Sequence, residues 1–336
     1  MELRYSSSEQ ATVLETITFH QIAPVWSQMG DSKANFWVSS DEELLFHLEG
    51  RMRAWQESAS ELEPGEMRPI PRILHLIWLG SPLPYKFRRL VDSWRMHHPD
   101  YTVMFWDDQA AAGFTMTNQA AFDNASNWGE RSDILRYEVL YQFGGLYVDT
   151  DYECLQCLDS VLDTRAQLVC GLGNNTDGAI EVQNGLLACA PGHPVMNELI
   201  QACSMNSIHP PLLPAGCGAA TDPATMAGVI AFLSPHDVSA MKQAFAYDLA
   251  MRTLAKTGSG CLTRILWQYL DAAEQQGQEL PPGEIVVLPP SVFSAVPSSL
   301  ASSTDVDVEE VCQQISTPFL SHQTLAVHWC QQSWRR

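Results

Sequence analysis

Two acids close an apolar stretch near the middle of the chain: Gly144-Gly145-Leu146-Tyr147-Val148-Asp149-Thr150-Asp151. The glycine pair suits the end of a helix, and the residues after it predict a buried strand over 146–149. In extended chain alternate side chains share a face. Asp149 and Asp151 are therefore expected to point into one pocket at the strand's end. Two carboxylates there are hard oxygen donors suited to Mg²⁺ or Mn²⁺. A divalent cation so held can take a bound diphosphate into its shell and offset the charge of a departing phosphate.

The spacing alone does not decide the chemistry. Acidic pairs at strand ends also form turns and helix caps. Metal-dependent phosphatases of the haloacid dehalogenase type also run an apolar strand into DxD. They want Thr or Val two residues beyond the second Asp, where this chain has Glu153. Cys154 and Cys157 form a CxxC, but no second CxxC accompanies it, and the nine cysteines show no disulfide-like framework. Reduced, unpaired thiols are expected.

The elements that must position the acids alternate in type. Arg72 to Trp78 is a compact apolar run ended by Leu-Gly-Ser-Pro, a buried strand and turn. A helix from Tyr85 to His97 stops before Pro99, and a strand from Tyr101 to Trp106 follows. A helix from Glu130 to Phe143 carries Ile134, Leu135, Val139, Leu140 and Phe143 at core spacing and leads directly into the acidic strand. Further strands are predicted over 167–172, 186–190 and 285–288, and helices over 193–205, 236–255 and 261–275. The Ser- and Pro-rich stretch 291–304 reads as a loop. Short apolar strands alternating with helices predict an α/β fold with a mostly parallel, Rossmann-like sheet flanked by helices. Upstream, 10–29 and 41–57 read as helices, the latter with Leu44, Leu45, Leu48 and Met52 at helical spacing. Ser58 to Pro71 reads as a linker. Residues 1–65 are thus expected to form a helical extension and 66–336 the main domain.

Several ordered blocks resemble the glycosyltransferases whose sugar-binding region contains a DXD motif. This group includes the fungal Och1-type mannosyltransferases, the lactosylceramide galactosyltransferases and, more distantly, the clostridial glucosylating toxins. Besides Arg131-Ser-Asp-Ile-Leu-Arg-Tyr137 and the GGLYVDTD stretch, the blocks are Ile70 to Gly80; Ser93-Trp94, His98-Pro99, Tyr101 and Trp106-Asp107; Asn184-Gly185; Gly258 to Thr263; and Val327-His328 through Ser333-Trp334. Ser259 replaces the family's usual Pro. The resemblance implies a GT-A fold and a retaining transfer from a UDP- or GDP-sugar to an acceptor hydroxyl, with Mn²⁺ or Mg²⁺ as cofactor. It implies that Trp78 stacks on the base and that Asp133 and Arg136 hold the sugar hydroxyls and a phosphate. Tyr147 lies near the diphosphate or ribose, and Asn184 near the sugar. Asp149 meets ribose and metal, Asp151 and His328 ligate the metal, and Ser333 and Trp334 close over the diphosphate. Read without it, Trp78 is a core aromatic, Asp133 and Arg136 a salt bridge three apart on one helix face, and His328 an ordinary histidine.

Bulk properties narrow the remaining readings. A net charge of −20 repels phosphate backbones and argues against nucleic acid. No stretch reaches the ~20 apolar residues that span a bilayer. The polar, acidic first ten residues lack the basic flank and apolar run of a secretory leader. A cytoplasmic enzyme, or an effector delivered into a host cell by a dedicated secretion system, is expected. The acceptor is left open between a protein side chain, a glycan and a small molecule. A non-catalytic nucleotide-sugar-binding protein is the alternative, and the completeness of the acid, arginine and histidine set favours an enzyme.

Overall fold

The computed structural model describes residues 37–58, 68–174, 180–211, 249–281, 283–303 and 309–331. The expected helix at 10–29 and most of that at 236–255 lie outside them, as do Ser333 and Trp334.

The sheet begins where the apolar run is densest. β1 (Ile73–Ile77) buries nearly every side chain and pairs in parallel with β2 (Thr102–Trp106), Leu74 opposite Val103 and Ile77 opposite Trp106. Helix α2 (Tyr85–His97) makes the crossover and buries Phe87, Leu90, Val91 and Trp94. On its other edge β1 pairs in parallel with β3 (Gly145–Val148). β5 (Leu168–Leu172), β6 (Val182–Cys189) and β7 (Ile285–Leu288) complete six strands in the order β2-β1-β3-β6-β5-β7. Only β6 runs against the others, pairing antiparallel with both β3 and β5. The α/β, mostly parallel expectation therefore holds, and β1, β3, β5, β6 and β7 bury nearly all their side chains.

Helix α3 (Trp128–Phe143) positions the site. Its buried residues lie all around the helix and include Asp133, Arg136 and Glu138. It starts two residues before the sequence pattern suggested because Asn127 caps it, accepting from the Glu130 N–H at 3.0 Å. It ends at Gly144, with φ 63°. Gly145 follows with φ 102°, and a Cβ there would stand 2.6 Å from the Ile73 carbonyl oxygen. The pair is glycine because a left-handed backbone meets a neighbouring strand at close range. Buried His75 locks this corner from β1. Its Nδ1 accepts from the Trp106 indole at 3.1 Å, so Nε2 carries the proton and donates to the Gly144 carbonyl at 2.9 Å. Burial lowers its pKa to about 4, which keeps the ring neutral.

Around this sheet, α4 (Pro194–Ile208) packs on α3, and α5 (Ser259–Gln275) packs on β6 and α4. Helix α1 (Asp41–Ser58) packs against β7, burying Leu44, Leu45, Leu48, Met52 and Trp55. Each such side chain contributes about 1.5–3 kcal/mol. A second sheet of two short strands, β4 (Tyr152–Cys154) and β8 (Ala326–His328), was not legible in the sequence. The stretch expected as a loop at 291–304 contains two single-turn helices, Pro290–Phe293 and Ser298–Ala301.

Candidate active site

Above the carboxyl ends of β1 and β3 lies a cleft of about 700 Å³. Trp78, Asp133, Arg136, Tyr147, Asp149, Asp151, Asn184 and His328 all line it. Every expected site residue within the described segments thus comes to one place.

The acids reach it differently from the simple expectation. β3 ends at Val148, and residues 149–152 turn, with the Tyr152 N–H donating to the Asp149 carbonyl at 3.1 Å. The two carboxylates meet because the chain turns, not because a pleat alternates. The Asp149 N–H donates to the Gly185 carbonyl at 2.7 Å, which ties the turn to β6. Next to that contact Gly185 cannot carry a side chain: a Cβ would stand 2.8 Å from Asp149 Oδ2 and 3.0 Å from the Tyr152 ring.

His328 arrives through the small sheet. Tyr152 pairs with His328 across β4 and β8, and their rings stack at 4.2 Å and 8°. His328 Nε2 stands 3.6 Å from Asp151 Oδ1. The Gln331 N–H donates to Asp151 Oδ2 at 2.8 Å, and the Trp329 N–H to the Asp151 carbonyl at 3.0 Å. Burial works against charge on His328, yet Cys330, Tyr152 and Asp151 together raise its pKa well above the usual value. Asp151 is held below the usual carboxylate range: its burial is outweighed by His328 and by backbone N–H donors. Asp149, Asp151 and His328 each offer a ligand atom within 4.8 Å of the others. A carboxylate pair and a neutral imidazole, the ring giving up its Nε2 proton on binding, form a donor set that a divalent cation fits.

Behind the acids lies a buried network. Arg136 bonds Asp133 Oδ1 at 3.0 Å, Asp149 Oδ1 at 3.2 Å, the Asn184 carbonyl at 2.7 Å and the Ser132 carbonyl at 3.4 Å. Its guanidinium carbon lies 4.5 Å from the centre of the Tyr147 ring, and the Tyr147 hydroxyl donates to Asp149 Oδ1. Most of its five N–H donors are thus spent on protein, so Arg136 fixes the two acids relative to each other. Burial alone would lower its pKa, but Asp149, Tyr147 and Asp133 raise it, and the cation persists at every working pH. Asp133 also accepts from Asn184 Nδ2 at 2.9 Å and from the Thr257 hydroxyl at 2.8 Å. Its burial pushes its pKa up to about 6 in spite of these donors and Arg136. Tyr137 closes the ring, accepting from Asn184 Nδ2 at 3.0 Å and donating to the Thr257 carbonyl at 2.8 Å.

Trp78 is half-buried on the cleft wall, its indole N–H bonded to Ser81 Oγ at 3.1 Å and its ring 5.1 Å from Phe87. A face open to the cleft is compatible with stacking on a planar ligand. Thr263, beside the altered Gly-Ser-Gly, faces protein: it donates to the Ser259 carbonyl at 2.8 Å and accepts from the Val182 N–H at 2.9 Å, joining α5 to β6. Cys154 and Cys157 are free thiols, and burial raises both pKa values, Cys157 to about 11, which favours inert thiols. Thr257 and Cys330 escaped the sequence reading; Thr257 adjoins Gly258, and Cys330 lies two residues past His328, but neither carries a local signal.

An α/β sheet opens on an acid–acid–imidazole cluster, backed by a buried aspartate–arginine–asparagine network. Residues 84–167 match the family described as glycosyltransferase sugar-binding region containing DXD motif. The chain is 32% identical to inositol phosphoceramide mannosyltransferase 2 of Schizosaccharomyces pombe over 142 residues, covering 41% of this chain and 39% of that protein. It is 28% identical to inositol phosphoceramide mannosyltransferase 3 of the same yeast over 145 residues, 42% of this chain and 39% of that protein. It is also 23% identical to subversion of eukaryotic traffic protein A of Legionella pneumophila over 228 residues, 60% of this chain and 32% of that protein. The chain thus spans about two-fifths or less of the length of these curated relatives. The solved structure of PaToxG glycosyltransferase aligns at 15% identity and a TM-score of 0.41, covering 83% of this chain and 96% of that one.

Proposed function

We propose that the chain is a retaining, metal-assisted GT-A hexosyltransferase that moves a hexose or N-acetylhexosamine from a UDP- or GDP-sugar to an acceptor hydroxyl. The observation that carries this reading is the convergence, in one cleft, of the Asp149–Asp151–His328 cluster with the Asp133–Arg136–Asn184 network. The names of the yeast relatives, mannosyltransferases, favour a hexosyl donor. Acceptors fitting the proposal are a protein side chain, as for an effector, a glycan or a small molecule bearing a hydroxyl. Among the described residues no helix is long and apolar enough to cross a membrane.

In this mechanism Trp78 stacks on the base, and Asp133 and the Asn184 side-chain oxygen accept from the sugar hydroxyls. Asp149, Asp151 and His328 hold Mn²⁺ or Mg²⁺, which when bound supplies Lewis-acid stabilisation of the diphosphate leaving group. Arg136 keeps Asp133 and Asp149 charged and in register, so the site needs little reorganisation as charge develops. Ser333 and Trp334, outside the described residues, are proposed to close over the diphosphate. Among the described residues no carboxylate in the cleft stands out as a covalent nucleophile: Asp133 is held by three side chains. Glu181 accepts from Trp37 at 2.8 Å and from Gln183 at 2.8 Å. Front-face displacement, with the leaving phosphate taking the acceptor's proton, is the mechanism that fits.

The test is Asp151→Asn, assayed for Mn²⁺ binding and for donor hydrolysis across a panel of nucleotide sugars. A loss of at least a hundredfold in hydrolysis, with weakened Mn²⁺ binding, is expected. Unchanged turnover sinks the metal assignment, and donor binding by calorimetry without transfer or hydrolysis would make the chain a binding protein.

A further inference from the structure

Cys330 is the one described non-glycine residue with a left-handed backbone, φ 47°, a region that side chains other than glycine adopt rarely. Its neighbours explain why it is held there. The peptide N–H groups on either side, of Trp329 and Gln331, both reach Asp151, the first to its main-chain carbonyl at 3.0 Å and the second to its carboxylate at 2.8 Å. The chain is pinched onto Asp151, and Cys330 stands at the apex of the pinch. From there its half-buried side chain lines the cleft, and Sγ lies 3.4 Å from His328 Nδ1. His328 Nε2 points the other way, toward Asp151.

The protons around this pair can be accounted for. The Cys330 thiol has the His328 carbonyl as acceptor at 3.9 Å. If the thiol hydrogen goes there, the sulfur lone pairs are left facing Nδ1, and an Nδ1–H can donate to them. A neutral imidazole with its hydrogen on Nδ1 has its free lone pair on Nε2, the atom directed at the acidic cluster. The opposite arrangement, S–H donating to Nδ1, would put the hydrogen on Nε2 and take that lone pair away. Histidines that hold metals have their second nitrogen fixed in this manner, usually by oxygen acceptors.

We infer that Cys330 is a positioning residue for the metal site: its sulfur accepts from His328 Nδ1–H and so turns the Nε2 lone pair toward the cation shared with Asp149 and Asp151. The inference rests on the proposal that these three residues hold a divalent cation. It assigns the left-handed turn a purpose, since the turn brings the sulfur back to Nδ1 of a residue only two positions earlier.

The experiment is a Mn²⁺ titration of the full chain, following the free-ion signal by electron paramagnetic resonance. Cys330→Ala is expected to weaken Mn²⁺ binding about tenfold or more, in the range that loss of a ligand's orienting partner produces. His328→Ala weakens it further, and adding Cys330→Ala to His328→Ala costs nothing more. Cys330→Gly removes the thiol while freeing the backbone; it shows the same loss, and it carries the test should the alanine variant fold poorly. In Mg²⁺-loaded protein, ring nitrogen–proton correlations of His328 show the Nδ1–H form, with a mixture of forms in the alanine variant. Wild-type affinity in Cys330→Ala, or full affinity restored by glycine, overturns the inference while leaving the metal site standing. Wild-type affinity in His328→Ala overturns the assignment of His328 as a ligand, and the inference with it.

Discussion

Asp133 shows how one residue's surroundings set a pH limit. It is buried, bonded to Arg136, Asn184 and Thr257, and half protonated at about pH 6. Its folded value lies above the ordinary 3.8, so charging it costs native stability. That cost is absent below about 3.8 and complete above about 6. If the ionised carboxylate is what receives a sugar hydroxyl, kcat/KM for donor hydrolysis falls as the pH drops through about 6. The Thr257 hydroxyl lowers this pKa by donating to Oδ2. Thr257→Val is therefore expected to move the acid limb to higher pH, by about 0.5–1 unit for one lost hydrogen bond. A pH–rate profile in steps of half a unit checks it; an unmoved limb assigns the limb to another group. Thr257 also shows the reach of sequence reading at this scale. Asp133 and Arg136 were legible because they sit one helical turn apart and match a family block. Thr257 is 124 positions from Asp133 and touches it only through the fold.

At the scale of elements, the strands and helices that could be read were those with dense periodic apolar character. β1, α2 and β7 fall within a residue of where the pattern places them, because their burial is dictated by their own side chains. β4 and β8 could not be read: each has three residues, and each becomes a strand only by pairing with the other. Yet that pairing delivers His328 to the acids. Gly145, at the turn into β3, and Gly185, inside β6, differ in what they protect, and substitution separates them. Gly145→Ala places a Cβ 2.6 Å from the Ile73 carbonyl in a backbone with φ 102°. Its expected effect is global, a loss of about 2–4 kcal/mol in urea unfolding. Gly185→Ala pushes instead on Asp149 Oδ2, at 2.8 Å, and on the Tyr152 ring. Its expected effect is local: Mn²⁺ affinity falls at least about tenfold, with a smaller change in unfolding midpoint. Equal stability losses with intact Mn²⁺ binding in the second variant would show that the acids do not depend on the backbone that carries them.

The whole molecule sets a problem for its proposed donor. A chain of net charge −20 must accept a nucleotide sugar whose diphosphate is itself anionic. The far field of the protein repels it, while the attraction comes from groups at short range: the proposed divalent cation and, behind it, Arg136, whose side chain is 5% exposed. These two influences respond differently to salt. The screening length shortens from about 30 Å at 0.01 M to about 8 Å at 0.15 M, which removes repulsion from distant surface acids first. Contacts at a few ångströms inside a cleft are screened much less. With Mn²⁺ held at saturation, donor binding is therefore expected to tighten, by about two- to fivefold, as NaCl rises from about 10 to about 150 mM. Further salt beyond that range weakens it as the short-range attractions are screened in turn. Calorimetric titrations across such a series give the curve directly. A monotonic weakening from the lowest salt upward would mean that the donor feels a positive local field extending well beyond the cation, and the −20 charge would then lie on surfaces turned away from the cleft.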